Sequence, residues 1–125
     1  EVILEPLGPM YSNYINSLPE AVRIIREVGV PNLFTMADLR HLVWAKEPLT
    51  DIVSYSDYMH HIHMDYPISY PARPFPNAND DFDYTEFLDV LKESGYQGTL
   101  TIEADIPEDW KRAYRDTAAI LHAFL

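Results

Sequence analysis

The sequence has 125 residues, 47% of them hydrophobic, with no cysteine and a formal net charge of −11. That length and apolar share bound it to one domain with a real core, and the acidic balance argues against nucleic acid as the main partner, because phosphate binding wants a basic surface. No cysteine means no disulfide framework and no thiolate metal site, which fits a reducing cytoplasm, and no apolar run approaches the roughly 18 residues of a membrane span.

The first residues, Glu1 to Leu7, have neither a signal-peptide head nor a translation start and read as a strand entered mid-flight, as in part of a longer protein. Val2 to Leu4 is a short aliphatic run ending at Glu5, broken at once by Pro6, Gly8 and Pro9. Ser17-Leu18-Pro19-Glu20 has the form of a capping box, and Ala21, Val22, Ile24, Ile25 and Val28 follow at helical spacing until Gly29 closes the helix. Asn32 to Met36 reads as the second strand, delivering Asp38, with Arg40, His41 and Trp44 in the loop or short helix behind it. Pro48 to Ser56 reads as a modest helix with Thr50 or Asp51 near its start, and Tyr58 to Met64 as the third strand. Period two there puts His61 and His63 on one face and His60 on the other.

Asp65 to Asp81 carries Pro67, Pro71, Pro74 and Pro76 and exceeds the usual length of a connection, which suggests a lid or binding segment. Asp83 caps a helix bearing Phe87, Leu88, Val90 and Leu91 and ending at Gly95. Gln97-Gly98 turns into a fourth strand, Thr99 to Glu103, and Pro107 opens a last helix with the stripe Trp110, Ala113, Tyr114, Thr117, Ile120, Leu121 and Phe124. Four strands alternating with helices predict an α/β chain of the (β/α)8 TIM-barrel type. A complete barrel needs about 250 residues, so residues 1–125 would form about four β/α units, close to half.

Parallel β/α units put the carboxyl ends of their strands on one rim, where residues distant in sequence meet. Glu5, Asp38, His63 and Glu103 each end such a run. Three carboxylates and one imidazole suit a divalent cation that prefers oxygen, Mn²⁺ first, then Mg²⁺ or Co²⁺, and Zn²⁺ less well. The alternatives are ordinary: Glu5 as a solvated strand-end carboxylate, Asp38 as a helix N-cap, His63 as a hydrogen-bonded core histidine. Glu103 lies where strand alternation points it inward, and an unpaired carboxylate there costs several kcal/mol unless a metal is present. His61 reads as supporting the site from behind, and His60 and His122 as surface. Tyr66, Tyr70 and Phe75 wall a ligand pocket or pack the loop, while Trp44 and Trp110 suit core or interface.

The segments Ile3-Leu4-Glu5-Pro6-Leu7, Asp38-Leu39-Arg40-His41, His61-Ile62-His63-Met64-Asp65 and Gly95-Tyr96-Gln97-Gly98-Thr99-Leu100-Thr101-Ile102-Glu103 occur in order across the chain. Together they resemble the C-terminal half of the sugar phosphate isomerase/epimerase family, xylose-isomerase-like barrels that include ketose 3-epimerases, hydroxypyruvate isomerases and inosose dehydratases. The resemblance implies one divalent metal, often manganese, on Glu5, Asp38, His63 and Glu103, with Glu5 and Glu103 moving a proton through an enediolate. It also implies substrate contacts from His41 and from Arg73, the latter standing further from its histidine than in the epimerases.

A carbohydrate would then be the substrate, with no nucleic acid or membrane partner, and the N-terminal half-barrel or a second copy would complete the fold. Two other readings stay open: a metal-dependent dehydratase of the inosose dehydratase type, and a non-catalytic half-barrel that works only by assembly. A nuclease resembling endonuclease IV would need more histidines and a basic face.

Overall fold

In a computed structural model of the protein, residues 1–123 are described. β1 (Val2–Leu4), β2 (Leu33–Asp38), β3 (Met59–Met64) and β4 (Leu100–Ile102) form one parallel sheet in sequential order. Between and after them lie α1 (Leu18–Val28), α2 (Leu39–Ala45), α3 (Asp51–Ser54), a 3₁₀ turn (Ser56–Tyr58), α4 (Thr85–Glu93) and α5 (Trp110–His122). Sequential order with every connection passing through helix is the wall of a barrel rather than a doubly wound sheet.

The register sorts side chains onto two faces, since partners on neighbouring strands point the same way. Ala37, Ile62, Leu100 and the pair Met64 and Ile102 line one face. They pack with Leu18, Leu39, Leu42, Ile52, Phe87, Leu88 and Leu91 from the helices into the core. Met36, His61, Asp38, His63 and Thr101 line the other face, which leads to the carboxyl rim.

Local signals set the helix ends. Ser17 Oγ accepts the Glu20 N–H at 3.4 Å, and Gly29 closes α1 with φ 66° in the left-handed region. Glu20 reaches one residue beyond an ordinary capping box, accepting from the Asn16 N–H at 2.7 Å.

Several boundaries differ from those read in the sequence. β2 runs on through Asp38, which also caps α2 by accepting the Arg40 N–H at 2.8 Å. The expected helix over 48–56 is one α turn and one 3₁₀ turn, because only Ile52 of it is buried. α5 starts at Trp110, capped by Asp109, and not at Pro107. Of its expected stripe Thr117 is buried, but Trp110 and Tyr114 are exposed, and Phe124 lies outside the described residues. His60 is not simply on the opposite face: β3 spends an extra residue where the register shifts at Thr35/Met36, and the His60 ring stacks on Phe34 at 3.4 Å.

Candidate metal centre

The rim collects Glu5, Asp38, His63 and Glu103, each offering one donor atom, with these atoms within 4.8 Å of one another. Glu5 follows β1, and Asp38 ends β2 in register with His63 of β3. Glu103 follows β4, held by its N–H to the Met64 carbonyl at 3.2 Å. His63 Nδ1 stands 2.9 Å from Glu103 Oε2, 3.7 Å from Asp38 Oδ2 and 3.8 Å from Glu5 Oε1. It nevertheless makes no aligned hydrogen bond and is buried. Among the described residues this nitrogen is ringed by three carboxylate oxygens without an aligned hydrogen bond, a place where a shared cation could sit.

Burial raises the Glu5 carboxyl above its ordinary value, and the Asp38 and Glu103 carboxylates raise it further. At Asp38 burial also pushes upward, but His63, His41 and Arg73 outweigh it and hold the group well below the carboxylate range. Asp38, together with Glu103 and Glu5, raises His63 against its own burial. Burial lowers His41, more than neighbouring Asp38 raises it, which keeps its imidazole neutral.

His41, in α2, places Nε2 3.7 Å from Glu5 Oε1 and leaves Nδ1 without a partner. Tyr11 meets its ring edge-on at 5.1 Å, and a Cβ added to Gly8 would come within 3.5 Å of His41 Nδ1 and 3.2 Å of Trp44 Cβ. The loop after β1 therefore rests directly on this wall. Tyr70 lies 5.9 Å from Tyr11 and 6.4 Å from Trp44, whereas Phe75 packs on Tyr114, away from it. His61 supports the floor, with Nε2 3.1 Å from Thr101 Oγ1 and its ring edge-on to His63 at 4.8 Å.

Arg73 sits deeper than a substrate-binding role suggested. It reaches Asp38 Oδ2 at 2.5 Å through Nη2, Glu103 Oε2 at 2.8 Å through Nη1 and Asp65 Oδ2 at 2.9 Å through Nε. Asp65 and Arg40, both fully buried, complete this network, and neither stood out in the sequence. The available signal was their company: charged residues inside otherwise buried runs, Leu39-Arg40-His41 and Met64-Asp65.

With this geometry in hand, similarity to known proteins is informative. The model of the xylose isomerase-like TIM barrel family matches residues 1–124. The 3-dehydro-D-guloside 4-epimerase of Escherichia coli (strain K12) is 30% identical over 122 residues, which are 96% of this chain and 45% of that protein. A Mus musculus protein provisionally named hydroxypyruvate isomerase is 28% identical over 126 residues, 91% of this chain and 44% of that one. Among solved structures, the apo 3-keto-D-glucoside 4-epimerase of E. coli superposes with a TM-score of 0.82 at 27% identity, over 98% of this chain and 45% of that chain. The chain thus spans about half the length of the relatives it matches.

Proposed function

The chain belongs to the xylose isomerase-like TIM-barrel family, and from that premise we propose that it is the C-terminal half of a divalent-metal-dependent sugar or sugar-phosphate isomerase or epimerase. Relatives with an isomerase name and with 4-epimerase names agree in the general kind of reaction. The observation that carries the proposal is the donor set itself: three carboxylates and a buried imidazole nitrogen with no aligned bond of its own, all within 4.8 Å. Burial first, and then repulsion from the Asp38 and Glu103 carboxylates, raise the Glu5 carboxyl, and a cation among them would relieve both.

Glu5, Asp38, His63 and Glu103 would hold the ion, Mn²⁺ by preference given the oxygen-rich set. Once bound, it supplies Lewis acidity to the carbonyl and adjacent hydroxyl of a ketose and so acidifies the C–H beside the carbonyl. Glu5 and Glu103 directly follow the first and last strands of the sheet. One removes the proton from the substrate carbon, generating the enediolate, and the other returns one. Return to the opposite face of the same carbon gives an epimer, and return to the neighbouring carbon gives an isomer.

His41, whose Nε2 stands 3.7 Å from Glu5 Oε1 at the rim, holds a substrate oxygen by a hydrogen bond. Arg73 keeps Glu103 aimed and offers its edge to a substrate oxygen. Residues 1–125 supply this half of the site, the remaining half-barrel closes the pocket, and the cysteine-free composition suits work in the cytoplasm. Among the described residues no helix is long and apolar enough to cross a membrane.

Solvent-deuterium exchange tests the reading. In the intact protein with Mn²⁺, ketoses and ketose phosphates are screened for deuterium uptake at the carbon beside the carbonyl. Glu103→Gln should abolish uptake while leaving the fold unchanged by circular dichroism. Uptake that survives the substitution removes Glu103 from the proton path.

A further inference from the structure

Arg40 is wholly buried on α2, and every nitrogen of its side chain is bonded to one segment. Its Nε and Nη2 lie 2.6 Å from Asp65 Oδ2. Nη2 also donates to the Tyr66 carbonyl at 3.0 Å and the Ala72 carbonyl at 3.1 Å, and Nη1 donates to the Ser69 carbonyl. Trp44, from the same helix, adds a bond from Nε1 to the Pro67 carbonyl at 2.8 Å. One guanidinium therefore ties both feet and the crown of residues 65–72.

The next residue is Arg73. Its Nε shares Asp65 Oδ2 with Arg40, and its other two nitrogens grip Asp38 and Glu103. The backbone behind it is pinned to the strand rim, with the Arg73 N–H on Asp105 Oδ2 at 2.8 Å and the Asp105 N–H on the Arg73 carbonyl at 2.7 Å. Burying a guanidinium is costly unless its donors are satisfied, and a lysine, as a point charge, cannot span three carbonyls and a carboxylate at once.

We propose that Arg40 is a positioning residue for the rim site: it folds residues 65–74 into an arch that sets the Arg73 guanidinium across Asp38 and Glu103. The proposal rests on reading those carboxylates as cation ligands. Arg40 touches none of the ligand side-chain atoms that face His63. Apart from its backbone N–H, which donates to Asp38 Oδ1 at 2.8 Å and which the substitutions below retain, the influence of Arg40 on them passes through the arch and Arg73.

The test uses the intact protein with Arg40→Met, Arg73→Gln and the double variant, read by hydrogen–deuterium exchange and by Mn²⁺ titration calorimetry. Arg40→Met should raise exchange across residues 65–74 and at the Asp105 amide while α1 and α4 stay protected. Its Kd for Mn²⁺ should shift at least threefold, in the same direction as for Arg73→Gln, and the double variant should shift no further. A part confined to stability would lower Tm and leave the Kd at the wild-type value, and that result overturns the proposal. So do unchanged exchange over 65–74 and shifts that multiply in the double variant, since independent effects add in free energy.

If Arg40→Met does not fold, Arg40→Lys keeps a charge against Asp65 and loses the carbonyls. It should give the same pattern at smaller size, and wild-type exchange and Kd in that variant would equally overturn the idea. A wild-type protein that binds no Mn²⁺ sinks the metal reading of the site instead, and the exchange measurement then decides the arch by itself.

Discussion

Glu47 is a carboxylate whose Oε1 accepts the Leu18 N–H at 2.8 Å, in the first turn of α1, while its Oε2 is buried without a partner. Burial pushes its carboxyl up to about 7; the Leu18 bond opposes this and Asp51 adds to it. The ordinary value is 4.5, so between pH 4.5 and 7 the folded protein holds a proton that the unfolded chain releases. Stability from this group is therefore complete below pH 4.5 and drains away as pH rises to 7. Glu47→Gln keeps an oxygen for Leu18 and has no proton to lose. It should stabilise the protein at neutral pH by about 1–2 kcal/mol after solvent screening is allowed for, and do nothing in the acid range. Urea unfolding at pH 7 and pH 4 checks this, and an equal effect at both would assign the change to something other than titration. Nothing in the sequence marks Glu47, because its environment is assembled from α1 and the loop before α3. Glu5, Asp38, His63 and Glu103 were legible as rim neighbours for the opposite reason: strand-end position is a local property, and barrel topology turns four such positions into neighbours. Arg73 was legible as a partner of the site but not as a partner of its carboxylates, since that depends on how the arch folds.

At the scale of elements, signals carried by one or two neighbouring residues reached the structure intact, as at Ser17 and Gly29 of α1. Signals that assume burial did not. The stripe on α5 has helical spacing, yet Trp110 and Tyr114 lie 47% and 53% exposed, and among the described residues only Ile120 and Leu121 further along it pack against the core. Tyr114 meets Phe75 at 5.1 Å, and Thr117, 2% exposed, donates from Oγ1 to the Pro76 carbonyl at 2.8 Å. That hydrogen bond is the buried tie between α5 and the end of the arch segment. Thr117→Val preserves shape and leaves the carbonyl orphaned, so a loss of about 1–3 kcal/mol is expected. The urea midpoint should fall with the slope unchanged. An unmoved midpoint would mean that water serves the carbonyl as well as the hydroxyl does. The shortened α3 shows the same limit: over 48–56 Ile52 alone is fully buried, with Leu49, Val53 and Tyr55 only partly covered against the core.

At the scale of the molecule, β1 and β4 are each hydrogen-bonded on one side only, and relatives run to about twice this length. Strand edges left open are templates for pairing, and apolar side chains stand beside them, with Val2 54% and Ile3 37% exposed. A net charge of −11 opposes association of two such surfaces. The balance between the two forces depends on salt, because the screening length falls from about 10 Å at 0.1 M to about 3 Å at 1 M while apolar attraction is untouched. A polypeptide limited to these 125 residues should therefore sediment above its monomer mass of 14.5 kDa, and further above it at 0.5 M NaCl than at 0.05 M. Supplying the remaining half-barrel as a separate polypeptide should replace that self-association with a one-to-one complex, since such a half would cover both strand edges together. A stable 14.5 kDa species at both salt concentrations, indifferent to the added half, would show that the exposed wall needs no cover. The half-barrel would then have to be understood as a unit complete in water.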